Sequence, residues 1–360
     1  VYNRLCDLAW AGDDKLILLV PEQFSFESER ALLRRLGPRM ATRVRVLSFT
    51  RLSEQVLRET GGLAGRRMDD ASRSLMMSRA VELVADGLVL YRGAADDPGV
   101  VSTLLHTILE LKQCGITPLD LEKTATSLRD GALHRKLSEI TLLYNTYEAL
   151  VAGATGLSDN GDNDNDVHYI DPLDNLAALK DKLPQSDMVR DAHVFVDSFK
   201  GFTAPEIEVL RVLMRQARTV TVTLCADSID EKSSGYSLFS PVAHTAAHLR
   251  DIARQDGVEV AKVQILNTNL RTSNDALKAA EAGLFSPCPD IYEHPNDDVM
   301  IVSCCDIYEE CDFAAREIRR RLRLHGGRCR DYAIVARNLN DYHGILDAAL
   351  QKQGIPFIID

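Results

Sequence analysis

Three stretches decide the reading: LILLVPEQFSFES at 16–28, VRVLSFTRLS at 44–53 and VFVDSFKGFTAPE at 194–206. Each is a short apolar run that breaks into polar and aromatic residues. That is the pattern of a strand buried on both faces whose carboxyl end opens on a ligand crevice. The spacing predicts a strand at 16–20, a helix at 26–36 and a second strand at 44–49, a compact βαβ unit. The combination implies an α/β core that handles nucleotides or nucleic acid.

Beyond residue 49 the apolar period changes from strand-like to helical. Segments near 51–59, 71–90, 99–113, 118–128 and 133–151 carry apolar residues at helical spacing, with Gly61, Gly62, Gly115 and Gly131 as stops. This predicts a helical insertion between two strands of one sheet. The run SDNGDNDND at 158–166 reads as a surface loop; the central glycine and closing glutamate of a calcium loop are not at their places in it. A helix near 173–183, the strand at 194–196, a helix at 205–217 and a strand at 220–225 return the chain to α/β. One helix near 241–255 and a Pro-rich linker follow. A fresh alternation closes the chain: strand 299–303, helix 309–324, strand 332–336, helix 341–353 and strand 356–359.

The chain has 360 residues, 45% of them hydrophobic, enough for two or three cored domains. No apolar run approaches the length of a membrane helix and no basic-then-apolar leader opens the chain, so a cytoplasmic protein without membrane contact is expected. It begins at Val1 and ends on an apolar run at 355–359, and we read it as a piece of a longer protein. The eight cysteines form no CxxC pair and read as reduced structural thiols, so no metal site is expected.

The net charge of −11 is unevenly spread. Nine aspartates face three Lys and Arg residues at 158–191, whereas 30–51 holds seven arginines and no acid. A second stretch, 316–330, holds seven arginines against Glu317, and those at 316, 319, 320, 321 and 323 lie on a helix and read as a solvated face. Nucleic-acid contact therefore survives the overall acidity.

No G-x-x-x-x-G-K-[ST] phosphate loop occurs. The segment VFVDSF is similar to the Walker B region of superfamily 1 helicases: Asp197 stands where a motor holds magnesium, but Ser198 replaces the acid that orients water. Asp197 either keeps that role or merely ends a strand. In the first two stretches, Phe24, Phe26 and Phe49 stand beside Gln23, Ser25, Thr50 and Arg51. Rings there can stack on bases while amide and guanidinium groups read base edges or hold phosphates. For Phe26 the reading favours anchoring its helix in the core.

With those residues in hand, the chain resembles the amino-terminal part of the AddB (RexB) family, found in bacterial AddAB-type ATP-dependent helicase-nucleases. The resemblance rests on LLVPEQFSFESERALL, on VLSFTRLSEQVL with Gly61 and Gly62 behind it, and on LELKQCGITP, VDSFKGFTAPE, RDYAIVARN and GIPFIID, in family order. It implies a RecA-like, superfamily 1 helicase-like parallel-sheet domain (1–52 and 188–285) with a large helical insertion (53–187). A linker (286–297) and the start of a second RecA-like domain (298–360) complete the expected layout. It further implies recognition of the recombination hotspot Chi in single-stranded DNA, in double-strand-break repair, with a motor-nuclease subunit of the AddA (RexA) type as partner. Family contacts to Chi fall on Gln23, Ser25, Phe49, Arg51, Glu54 and Phe202; Asp197 and Ser198 form a degenerate Walker B pair. No catalytic residue and no cofactor is expected in this segment. The family's phosphate loop, which serves ATP and magnesium, would precede Val1; its nuclease carboxylates and iron–sulfur cysteines would follow Asp360. An active superfamily 1 motor, or a scaffold that touches no DNA, remains the alternative.

Overall fold

The computed structural model describes residues 1–62, 66–93, 97–129, 131–153, 169–171, 174–226, 229, 238–266, 268, 272–286 and 288–359. The acidic loop at 158–166 lies outside them. The chain divides into two units, Val1–Val263 and Gln264–Asp360.

The first unit is built on a parallel sheet of β1 (Leu16–Leu19), β2 (Val44–Leu47), β5 (His193–Val196) and β6 (Thr219–Val222), in the order β2-β1-β5-β6. Leu18 pairs with Val46 on one side and Phe195 on the other, so β1 is central and all four of its residues are buried. Side chains alternate across a strand. Leu16 and Leu18 therefore pack beneath α1 (Tyr2–Ala11) and α2 (Ser25–Ala41), with Leu5, Leu32 and Leu36. Ile17 and Leu19 face the opposite layer of α3 (Phe49–Thr60), α8 (Asn175–Lys182) and α9 (Ala204–Gln216), with Leu52, Leu179 and Leu210. Helices on both faces explain why these strands read as unbroken apolar runs. α10 (Ser240–Gln255) packs on α9.

Between β2 and β5 the chain builds a second core from α4 (Asp70–Val84), α5 (Pro98–Gln113), α6 (Pro118–Ser127) and α7 (Ala132–Val151), centred on Met77, Ile108, Leu143 and Tyr147. Asp69, Asp97 and Thr117 cap three of these helices through their side chains. A two-strand parallel ribbon, β3 (Arg66–Arg67) with β4 (Tyr169–Ile170), marks where the chain enters and leaves this bundle. The strands at 44–47 and 193–196 thus share one sheet although a helical insertion separates them. This α/β arrangement is the RecA-like one expected from the sequence.

The second unit contains α11 (Asp275–Gly283), α12 (Ile307–His325) and α13 (Ile345–Lys352); Cys311, Ala315, Leu346 and Leu350 form its core. The two expected helices are present. The strands expected at 299–303, 332–336 and 356–359 form no ladder among the described residues, and Ile301, Val335 and Ile358 are almost fully exposed. An apolar run becomes a strand only when a neighbour supplies its backbone partners. On α12, Arg316 pairs with Asp312, and Arg320 and Arg321 pair with Glu317, whose carboxyl they hold down at about 2. Among the described residues no helix is long and apolar enough to cross a membrane.

Candidate nucleic-acid interface

The candidate site lies where β1, β2 and β5 end. After β1, Pro21 leads into a single 3-10 turn, Glu22–Phe24, and α2 starts at Ser25. The buried stripe of α2 is Ser25, Ser28, Leu32 and Leu36, which lie on one helical face. Phe26 sits about a hundred degrees off that stripe and is exposed, so its expected core anchoring is corrected. Gln23 and Phe24 are exposed as well. Ser25 is buried, and its hydroxyl has no hydrogen-bond partner among the described residues.

After β2, Ser48 caps α3 by accepting the Arg51 backbone N–H at 3.1 Å. This cap fixes the first turn, and Arg51 projects from it toward the β1 exit. Its Nη1 donates to Glu29 Oε1 at 2.9 Å, and its Nε lies 3.5 Å from Glu22 Oε1. The guanidinium therefore ties the first turn of α3 to the turn that carries Gln23. One turn further along α3, Glu54 accepts from Arg67 of β3 at 2.6 Å.

After β5, the Asp197 N–H donates to the Leu19 carbonyl at 2.9 Å, and its carboxylate accepts the Thr223 hydroxyl beyond β6. Ser198 then adopts φ +68°, left-handed backbone that a side chain rarely occupies. That bend carries Phe199 against Phe49, edge to face at 5.5 Å, and against Phe202 at 5.1 Å. Phe49 is only 5% exposed and belongs to the sheet core, whereas Phe202 is partly open. Thr203 and Glu206 close the turn with a capping box on α9.

The structure thus groups the predicted residues into an open cluster and a buried one. Gln23, Arg51, Glu54 and Phe202 offer side chains to solvent, while Ser25 and Phe49 are covered. Sequence reasoning did not single out Glu22, Glu29 or Phe199. The acids at 22, 27 and 29 stand directly before the arginine-rich stretch, which was the available signal. Not all of those arginines are free for a ligand: Arg35 stacks over Tyr2 at 5.1 Å and Arg43 donates to the Ala9 carbonyl.

At the end of β5 the Asp197 carboxylate accepts the Thr223 hydroxyl, and Ser198 follows where a motor carries an acid. Among the described residues no three His, Cys, Asp or Glu side chains converge as metal ligands.

A family model described as ADDB, N-terminal matches residues 8–281. A Clostridium tetani protein, named as the B subunit of an ATP-dependent helicase/deoxyribonuclease, is 31% identical over 357 residues, covering 97% of this chain and 30% of that protein. Its namesake in Desulforudis audaxviator is 35% identical over 371 residues, covering 99% of this chain and 31% of its own length. The chain therefore spans about a third of the length of these relatives. The family match takes in the whole parallel sheet and the helical insertion, and the chain belongs to the ADDB, N-terminal family.

Proposed function

We propose that this chain is the DNA-binding, helicase-like part of one subunit of an ATP-dependent helicase/deoxyribonuclease that acts in double-strand-break repair in the cytoplasm. The sheet unit corresponds to a helicase domain of the 1A type, the helical insertion to 1B, and 298–360 to the start of 2A. A motor-nuclease subunit is its partner, in keeping with relatives whose names make them one subunit of a larger enzyme. One observation supports DNA contact most directly: Arg51 presents its guanidinium at the carboxyl edge of the sheet, tied to the turn that exposes Gln23, with Phe24 and Phe26 open beside Gln23. A guanidinium and an amide can each grip a base edge in bidentate fashion, and open rings accept stacked bases. In this reading the bases are those of Chi in single-stranded DNA. Phosphate transfer is not assigned to this segment.

Titrating labelled single-stranded DNA with the chain tests this. Saturable binding that weakens with salt is expected, because phosphate contacts release counterions. No binding by the parent chain at low salt would favour a scaffold that touches no DNA.

A further inference from the structure

Arg51 is the group best placed to meet DNA, yet it is not free: one cation faces two carboxylates, Glu29 at 2.9 Å and Glu22 at 3.5 Å. All three side chains keep about half of their surface in solvent, at 43% for Arg51, 49% for Glu29 and 57% for Glu22. An ion pair this open is weak and exchanges readily. It does not lock the site; it decides what can replace it. A phosphate that approaches Arg51 brings a negative charge beside two more. A base edge that offers acceptors without charge meets no such repulsion, and it returns the hydrogen bond that Arg51 gives up when it leaves Glu29.

We propose that Glu29, with Glu22 behind it, is a specificity-determining residue: it holds Arg51 away from phosphates and releases it to a base edge with two adjacent acceptors, guanine above all. The inference rests on the DNA-binding reading above. It assigns to Glu29 a role through Arg51, with no contact of its own to the DNA required. The geometry suits this. The Nη1 that donates to Glu29 belongs to the face a guanidinium uses for bidentate contact, so pairing with Glu29 and reading a base compete for the same donor.

The test compares the complete two-subunit enzyme with its Glu29→Gln, Glu22→Gln and Arg51→Ala variants, bound to labelled oligothymidylate and to a guanine-containing strand of equal length. Glutamine keeps the shape and removes the charge. Glu29→Gln is expected to raise affinity for oligothymidylate by about three- to tenfold at low salt and to narrow the preference for guanine. Glu22→Gln should do the same more weakly, in line with its longer distance, and the melting temperatures should stay near the parent's because both acids are surface groups. The gain should vanish when either substitution is combined with Arg51→Ala. Unchanged oligothymidylate binding and unchanged guanine preference in both glutamate variants, alongside an Arg51→Ala variant that does lose the preference, would overturn this role while leaving the DNA-binding reading intact. An Arg51→Ala variant that binds both strands like the parent would overturn the reading on which it rests.

Discussion

Lys112 Nζ lies 3.3 Å from a carboxylate oxygen of Asp171, and both side chains are shut away from solvent inside the helical insertion. Glu148 at 2.7 Å and Asp174 at 2.8 Å complete the ring around the ammonium, and Arg73 reaches Asp171 at 2.8 Å. Burial alone would lower the Lys112 pKa; the carboxylates of Asp174, Glu148 and Asp171 outweigh it and raise it. The network joins α4, α5 and α7 to the segment that carries the chain back to the sheet.

Removing the lysine leaves the buried Asp171 carboxylate without its ammonium and sets the partly exposed Glu148 and Asp174 beside it. Lys112→Met should cost about 3–5 kcal/mol, because a broken buried ion pair leaves uncompensated charge. Urea denaturation monitored by circular dichroism measures it. A loss below about 1 kcal/mol would mean that water reaches these groups.

Asp256 at the end of α10 accepts from Arg211 and Arg215 of α9, at 2.6–2.8 Å. The hydrogen bonds from Arg211 and then Arg215 hold its carboxyl well below the usual carboxylate range. A folded pKa that lies below the unfolded one stabilises the protein at every pH above the unfolded value, and the contribution is lost as pH falls toward the folded pKa. The stability gap between the parent and Asp256→Asn should therefore be constant near neutrality and shrink below about pH 4. Denaturation midpoints across that range report it; a gap that widens in acid would contradict the assignment.

Ser198 holds a positive φ at the turn after β5. Glycine adopts that backbone without steric cost, and the relief outweighs its extra freedom in the unfolded chain. Ser198→Gly should raise stability by about 0.5–1 kcal/mol. A lower melting temperature would show that the hydroxyl makes an interaction stronger than the strain.

Phe26 is open to solvent on α2. Phe26→Ser should leave the melting temperature almost unchanged and weaken single-stranded DNA binding by about 1–3 kcal/mol if a base stacks on the ring. Unchanged affinity would remove Phe26 from the interface.

Most of the first unit was legible because its signals are local. LILL at 16–19 is apolar on both faces because helices cover both, and the change of apolar period after β2 marks the helical insertion, although the strand expected to reach 49 ends at Leu47, where Ser48 caps α3. What escaped depends on partners distant in sequence. VMIVS at 299–303 has the apolar content of a strand but no ladder neighbour among the described residues. The sequence places Phe26 in the core and Phe49 at a strand end, whereas the helical phase of α2 leaves Phe26 open and Phe49 starts α3 under cover. The pairing of Arg51 with Glu29 joins two helices across a gap of 22 residues, a spacing that no periodicity encodes.

If the carboxyl edge of this sheet reads bases through Arg51 and Gln23, the loss of either side chain should blunt the response to Chi and little else. DNA processing by the complete two-subunit enzyme carrying Arg51→Ala or Gln23→Ala, on substrates with and without Chi, measures this. Chi-dependent arrest should weaken by about 1–3 kcal/mol of discrimination while unwinding speed and general DNA binding stay near the parent's. Fragment patterns indistinguishable from the parent's in both variants would contradict base reading at this edge, and would leave Arg51 as the structural tie between α3 and the Glu22–Phe24 turn.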